Sequence, residues 1–287
     1  MPWGRIKPEN ILASREEWIG RTGQEWAKRA EALDLLLGPA GDAGLRALAA
    51  RPGERILDLG CGSGASTAAL AEAVKPGGIA TGVDVSPDLV AQARTRLDGV
   101  NGAELIEADA ERHDFGEGAF DAIYSRFGAM FFDNPVAAFR NLHRALRPGS
   151  RAVFVAWREP ARNQWASVPM TFAAEGLVAP GPGSGPGPFA WADPSVYRPI
   201  LEEAGFHDIS ESSHEFMAEI AEGDGAEPLD RAVAFMLKIG PLAARLRGAS
   251  EDAKREAEAF LARRLARHVH DGAVRLLASA WIIEAHR

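Results

Sequence analysis

Between residues 53 and 157 short apolar runs alternate with stretches of helical periodicity, the pattern of repeated βα units wound about a mostly parallel sheet. The runs at 55–59, 79–84, 103–108, 120–125 and 151–157 predict five strands in order. Ser86-Pro87 and Asn134-Pro135 each combine an N-capping side chain with a proline at the first helical position, so a helix is expected after each. Pro148-Gly149 is expected to stop the second of these. Upstream, residues 16–37 set Trp18, Ile19, Trp26 and Leu33 among charges, predicting an amphipathic helix broken around Gly20 and Gly23.

Past the fifth strand the pattern changes. Residues 180–188 are all proline, glycine or serine, which cannot form a helix or an internal strand, so 158–192 read as an excursion over a site. A helix over 193–204 closed by Gly205 and an alternating run at 206–216 return the chain to the sheet. Residues 227–271 predict two helical segments broken at Gly240-Pro241 and near Gly248, and 274–285 a last buried strand. The organisation expected is an N-terminal helical cap (1–52), an α/β core (53–157), a Pro/Gly-rich lid (158–192), the end of the core (193–226), a helical insertion (227–272) and a final core strand (273–287).

With 287 residues, 46% of them hydrophobic, the chain can bury a full α/β core and carry a cap besides. Its net charge of −8 repels phosphate backbones, so no nucleic-acid partner is expected. The single cysteine, Cys61, leaves no disulfide within this chain and no cysteine cluster for zinc or iron-sulfur chemistry. The first residues lack the apolar core of a secretory signal and no apolar run is long enough for a bilayer, so a soluble cytoplasmic protein without a membrane partner is expected. His268-Val269-His270-Asp271 has the look of a metal cluster, but histidines at a helix end suit its dipole without an ion, and no metal is expected.

The sharpest local feature is Ile56-Leu57-Asp58-Leu59-Gly60-Cys61-Gly62-Ser63-Gly64, a strand entering three alternating glycines and then a helix. Glycines let backbone approach a ligand and the helix start offers free amides, which by itself indicates a nucleotide-like ligand bound around Gly60, Cys61, Gly62 and Gly64. Read as G-x-G-x-x-A with Asp84 ending the next strand, the same residues resemble an NAD fingerprint, and an NAD-dependent oxidoreductase is one reading. Asp58 argues against it, because a carboxylate there opposes a pyrophosphate and favours the cationic amino group and sulfonium of S-adenosylmethionine. Asp84 can bond both ribose hydroxyls, Val85 can face adenine, and Asp109 can accept from the exocyclic adenine amine.

From about Gly53 to Trp157 the chain resembles the class I S-adenosylmethionine-dependent methyltransferases, especially the branch related to quinone-biosynthesis C-methyltransferases. The residues that carry this are the glycine segment, Gly82-Val83-Asp84-Val85-Ser86, Glu107-Ala108-Asp109-Ala110, Phe120-Asp121-Ala122-Ile123-Tyr124-Ser125 and Leu146-Arg147-Pro148-Gly149-Ser150, in that order. The resemblance implies a doubly wound, seven-stranded, Rossmann-like sheet with a reversed last strand, supplied here by 274–285. It also implies that Ala110 bonds adenine through its amide and that Ser125 and Arg126 lie beside the methionine end of the cofactor. The chain departs from the family where Arg126-Phe127-Gly128 replaces the Asn/Asp-Pro-Pro-Tyr/Phe sequence associated with amide or adenine nitrogens as acceptors, which points to a different acceptor.

Trp157, Asn163 and Trp165 follow the fifth strand at the sheet's carboxyl edge and are candidates for an acceptor pocket. Trp18 and Trp26 suit either an aromatic wall or the buried face of the N-terminal helix. The expected chemistry is methyl transfer to oxygen, carbon or carboxylate of a small molecule by in-line displacement. No residue declares itself as a base, and the catalytic residue stays unassigned. A protein that binds the cofactor without transferring its methyl group is the remaining alternative. The helices of 227–271 suit packing against a second copy, as a homodimer, or beneath the chain's own lid.

Overall fold

The computed structural model describes residues 14–174, 186–220 and 227–287. Its strands are β1 (Arg55–Leu59), β2 (Ile79–Asp84), β3 (Ala103–Glu107), β4 (Phe120–Arg126), β5 (Leu146–Trp157), β6 (His207–Ile220), the two-residue β7 (Val269–His270) and β8 (Ala273–His286). They form one sheet in the order β3-β2-β1-β4-β5-β8-β6, with β7 pairing only with β8. The first five strands are parallel, and β8 runs antiparallel to both β5 and β6. β1 is apolar on both faces, with Ile56, Leu57 and Leu59 almost wholly buried, as a central parallel strand covered on both sides requires. The order reverses between β1 and β4, so the carboxyl ends of β1, β2 and β4 open a crevice there.

The helices are α1 (Arg15–Ile19), α2 (Arg21–Ala27), α3 (Ala30–Leu48), α4 (Ala65–Ala73), α5 (Pro87–Arg96), α6 (Pro135–Ala145), α7 (Gln164–Ala174), α8 (Pro194–Glu203), α9 (Pro228–Met236), α10 (Pro241–Arg245) and α11 (Glu251–Leu265). Ser86 and Asn134 cap α5 and α6 as expected, accepting from the amides of Leu89 (3.4 Å) and Ala137 (3.1 Å).

Five expectations change. Among the described residues the N-terminal segment holds three helices; Gly20 separates the first two, but Gly23 lies inside α2, where a Cβ would stand 2.2 Å from Ser86 Oγ. Helix α3 runs on to Leu48 and packs on the sheet instead of capping it. Its Gly44 sits so close that a Cβ would meet Val155 Cγ2 at 2.5 Å, and its Gly41 carbonyl accepts from the buried Tyr124 hydroxyl at 2.9 Å. Helix α6 ends at Ala145, ahead of Pro148-Gly149, because Leu146 already pairs with Phe120; the Pro-Gly pair lies in the irregular stretch before the regular register resumes at Arg151. The excursion after β5 contains α7, and the insertion holds three helices where two were expected. Residues 175–185, including most of the Pro/Gly run, lie outside the described residues.

Candidate active site

The glycine turn is shaped by the strand beside it. The amides of Gly60 and Cys61 both donate to the Val83 carbonyl, at 2.9 and 3.0 Å, and the Gly62 amide donates to Asp84 Oδ2 at 2.9 Å. Gly60 has φ +66°, and a Cβ on it would lie 2.9 Å from the Gly128 Cα, so the chain leaving β4 presses directly on the turn. Gly62, at φ +54°, faces open space.

Asp84 holds this turn together, because its other oxygen accepts from the Ser86 amide at 2.9 Å. Burial raises its carboxyl pKa, against the lowering effect of the amides of Ser86, Gly62 and Val85. Each oxygen keeps a lone pair free beyond the amide it serves.

A cavity of about 860 Å³, a figure that includes solvent at its open mouth, lies over the turn. Of the residues singled out in the sequence, Gly60, Gly62, Asp84, Val85, Asp109, Ala110, Arg126, Trp18 and Trp26 line it. Trp18 stands edge-on to Trp26 and to Phe131, with centroids 5.0 and 5.1 Å apart, so α1 and α2 close one side with an aromatic wall. Asp109 is engaged from three directions: it accepts from the Glu111 amide (3.0 Å) and from Arg112 (2.8 Å), and it pairs with Arg15 of α1 at 3.2 Å.

The other candidates sit behind the wall. Asp58 is fully buried; its Oδ2 accepts from Ser66 Oγ (2.7 Å) and Thr67 Oγ1 (2.6 Å), tying the first turn of α4 to β1, while its Oδ1 has no hydrogen-bond partner. Burial raises its pKa, and direct contact of this carboxylate with a ligand in the cavity is not what the geometry provides. Cys61 is buried, and burial together with Asp84 and Asp58 pushes its thiol pKa well up, the opposite of an activated nucleophile. Gly64 is the N-cap of α4 and packs on Ala93, and Ser125 donates to the Leu59 carbonyl at 2.8 Å.

Trp157, Asn163 and Trp165 also differ from expectation. Trp157 lies under Phe127, stacked at 4.1 Å, so the neighbouring phenylalanine and not the tryptophan meets the cavity. Asn163 is completely buried and spends its amide on the carbonyls of Arg158, Glu159 and Ser279, and its oxygen on the Ser279 amide and Trp165 Nε1. It anchors the segment after β5 to β8, and Trp165 packs behind Trp157 at 5.0 Å.

Sequence reasoning missed Phe127, Phe131, Arg15 and Asp34. Phe127 has φ +62°, a costly conformation for a non-glycine residue, stabilised here by its amide's bond to the Val155 carbonyl and by the Trp157 stack. Asp34 of α3 bridges Arg126 (3.1 Å) and Arg96 (2.7 Å), so two guanidinium groups share one carboxylate beside the turn. No spacing rule joins residues so far apart in the chain. Among the described residues no three histidine, cysteine or acidic side chains are placed to hold a metal ion, and no helix is long and apolar enough to cross a membrane.

The sequence profile of a family described as a methyltransferase domain matches residues 57–154. Over 116 residues the chain is 37% identical to the demethylmenaquinone methyltransferase of Beutenbergia cavernae, an alignment covering 40% of this chain and 46% of that one. The profile match covers about a third of the chain, which over those residues is similar to a methyltransferase domain. The chain spans a third to a half of the length of the curated relatives it matches. Beyond these residues the likeness is one of fold. The YcgJ protein of Bacillus subtilis superposes with a TM-score of 0.54 at 15% identity, covering 86% of this chain and 97% of that one. The cyclase SpnF superposes with a TM-score of 0.53 at 19% identity, covering 96% and 98%.

Proposed function

We propose that the protein binds S-adenosylmethionine in the cavity over the glycine turn and transfers its methyl group to a small organic molecule. The observation that carries this reading is the placement of Gly60, Gly62 and Asp84 together on the lining of one open cavity at the carboxyl ends of the strands. The residues present fit the cofactor: Gly62 leaves an open cradle, and Asp84 retains acceptor capacity on both oxygens. In this reading Asp84 takes the ribose hydroxyls, Asp109 and Ala110 the adenine edge, and Val85 an adenine face. Arg126, on the cavity lining and paired with Asp34, would be the residue to hold the cofactor carboxylate.

When bound, the cofactor supplies an electrophilic methyl group, and what remains for the protein is alignment and exclusion of water. The Trp18, Trp26 and Phe131 wall excludes water on the side of α1 and α2, and the strained Phe127, held on Trp157, presents a rigid apolar face to the acceptor. Calorimetric titration with S-adenosylmethionine, S-adenosylhomocysteine and NAD tests the reading. Both adenosyl ligands are expected to bind, and Asp84→Ala to weaken them at least about a hundredfold through the lost hydroxyl bonds and the loosened turn. Binding of NAD alone would overturn it.

A further inference from the structure

Arg126 ends β4 and lines the cavity together with Leu59 and Gly60. In the sheet order β3-β2-β1-β4, strand β1 and its glycine turn stand between it and Asp84 at the end of β2, with Asp109 farther on, past β3. A ligand lying across the turn therefore meets Asp84 with one end and Arg126 with the other. The Arg126 guanidinium makes one side-chain hydrogen bond among the described residues, from Nη2 to Asp34 Oδ1 at 3.1 Å. Its Nε and Nη1 donate to no protein atom there and are not sealed from solvent, so the fork keeps donors open.

Two features of α3 fix where that fork points. Asp34 gives one oxygen to Arg126 and the other to Arg96 of α5 at 2.7 Å, and Arg96 Nη1 donates in turn to Ser63 Oγ of the glycine turn at 3.2 Å. The carboxylate that Arg126 grips is thus itself anchored to the turn. About two helical turns along, Gly41 leaves room for the arginine stem, since a Cβ there would stand 2.7 Å from Arg126 Cδ. We infer that Asp34 and Gly41 are positioning residues, which aim Arg126 at the carboxylate of the cofactor's methionine end. The inference rests on the cofactor-binding reading, and it names the residues that set discrimination at that end. Arginine suits the task because its planar fork pairs with both oxygens of a carboxylate, and a fork held in place beforehand loses less freedom on binding. A positioning residue and a mere counter-charge predict opposite signs. Neutralising a counter-charge tightens an anionic ligand, whereas removing the fixed point weakens it.

The full chain is titrated calorimetrically with S-adenosylhomocysteine and with its decarboxylated analogue. The parent is expected to bind S-adenosylhomocysteine about tenfold or more tightly than the analogue. Asp34→Asn and Gly41→Ala are each expected to bring the two affinities within about threefold by weakening S-adenosylhomocysteine alone. The analogue should stay within about twofold of its parent affinity, which a loosened fold or turn would not allow. Gly41→Ala removes no charge and places alanine in a helix interior, so it tests the aim of Arg126 without a change in electrostatics. Tighter binding of S-adenosylhomocysteine by Asp34→Asn, equal weakening of both ligands, or a preference that survives in both variants would each overturn the assignment. If the parent binds both ligands equally, the cofactor reading stands and the positioning role falls; if it binds neither, the cofactor reading falls and the role with it.

Discussion

The two sides of the cavity are built by different physics. The side at the ends of β1 and β2 is made of backbone: glycines at positive φ, amides donating to Val83 and Asp84, and a helix start held by Asp58. The side formed by α1, α2 and the segment after β4 is made of side chains, with aromatic rings edge to edge and ion pairs such as Arg247 with Glu17 that join distant parts of the chain. Backbone geometry tolerates almost no substitution, whereas aromatic packing can be rebuilt with other residues. The first side is therefore suited to one constant ligand, and the second to setting which acceptor enters.

The difference can be broken most sharply at Gly60. Gly60→Ala forces a side chain into a left-handed conformation and against the Gly128 backbone 2.9 Å away, so S-adenosylhomocysteine affinity is expected to fall more than about a hundredfold by calorimetry. Retained affinity would show the turn to be more compliant than its packing implies. On the other side, Asn163→Ala leaves several buried donors and acceptors without partners and should cost about 2–3 kcal/mol in a urea titration. Affinity for S-adenosylhomocysteine should stay within about twofold, because Asn163 is a layer behind the wall. The smallest effect is expected at Trp18→Ala, which opens the aromatic wall and should weaken S-adenosylhomocysteine about tenfold through lost contact area. An unchanged affinity there would confine the role of α1 to the acceptor.

The strands and the loops at their ends were legible because each rests on a local rule. A buried parallel strand reads as an apolar run, Ser86-Pro87 and Asn134-Pro135 announce helix starts, and the reversed final strand was expected within one residue of the observed β8 at each end. Prediction failed where local rules met a neighbour from elsewhere in the chain. Pro148-Gly149 look like a helix stop, but pairing of Leu146 with Phe120 had already ended the helix. Gly23 looks like a helix breaker, but the approach of Ser86 requires it. Asn163 looks like a polar pocket residue, yet every hydrogen-bonding group of its side chain is spent on backbone and on Trp165.

By itself the sequence determined the doubly wound sheet, the glycine turn with Asp84 at its flank, and the order of the motifs along residues 53–157, because each follows from periodicity, turn chemistry or side-chain charge within a short window. Only the tertiary structure decided that Asp58 lies beneath the turn, that Phe127 replaces Trp157 at the wall and that Arg15 reaches Asp109. Those facts depend on which side chains from distant segments share a volume, and close packing settles that only when all the elements are in place.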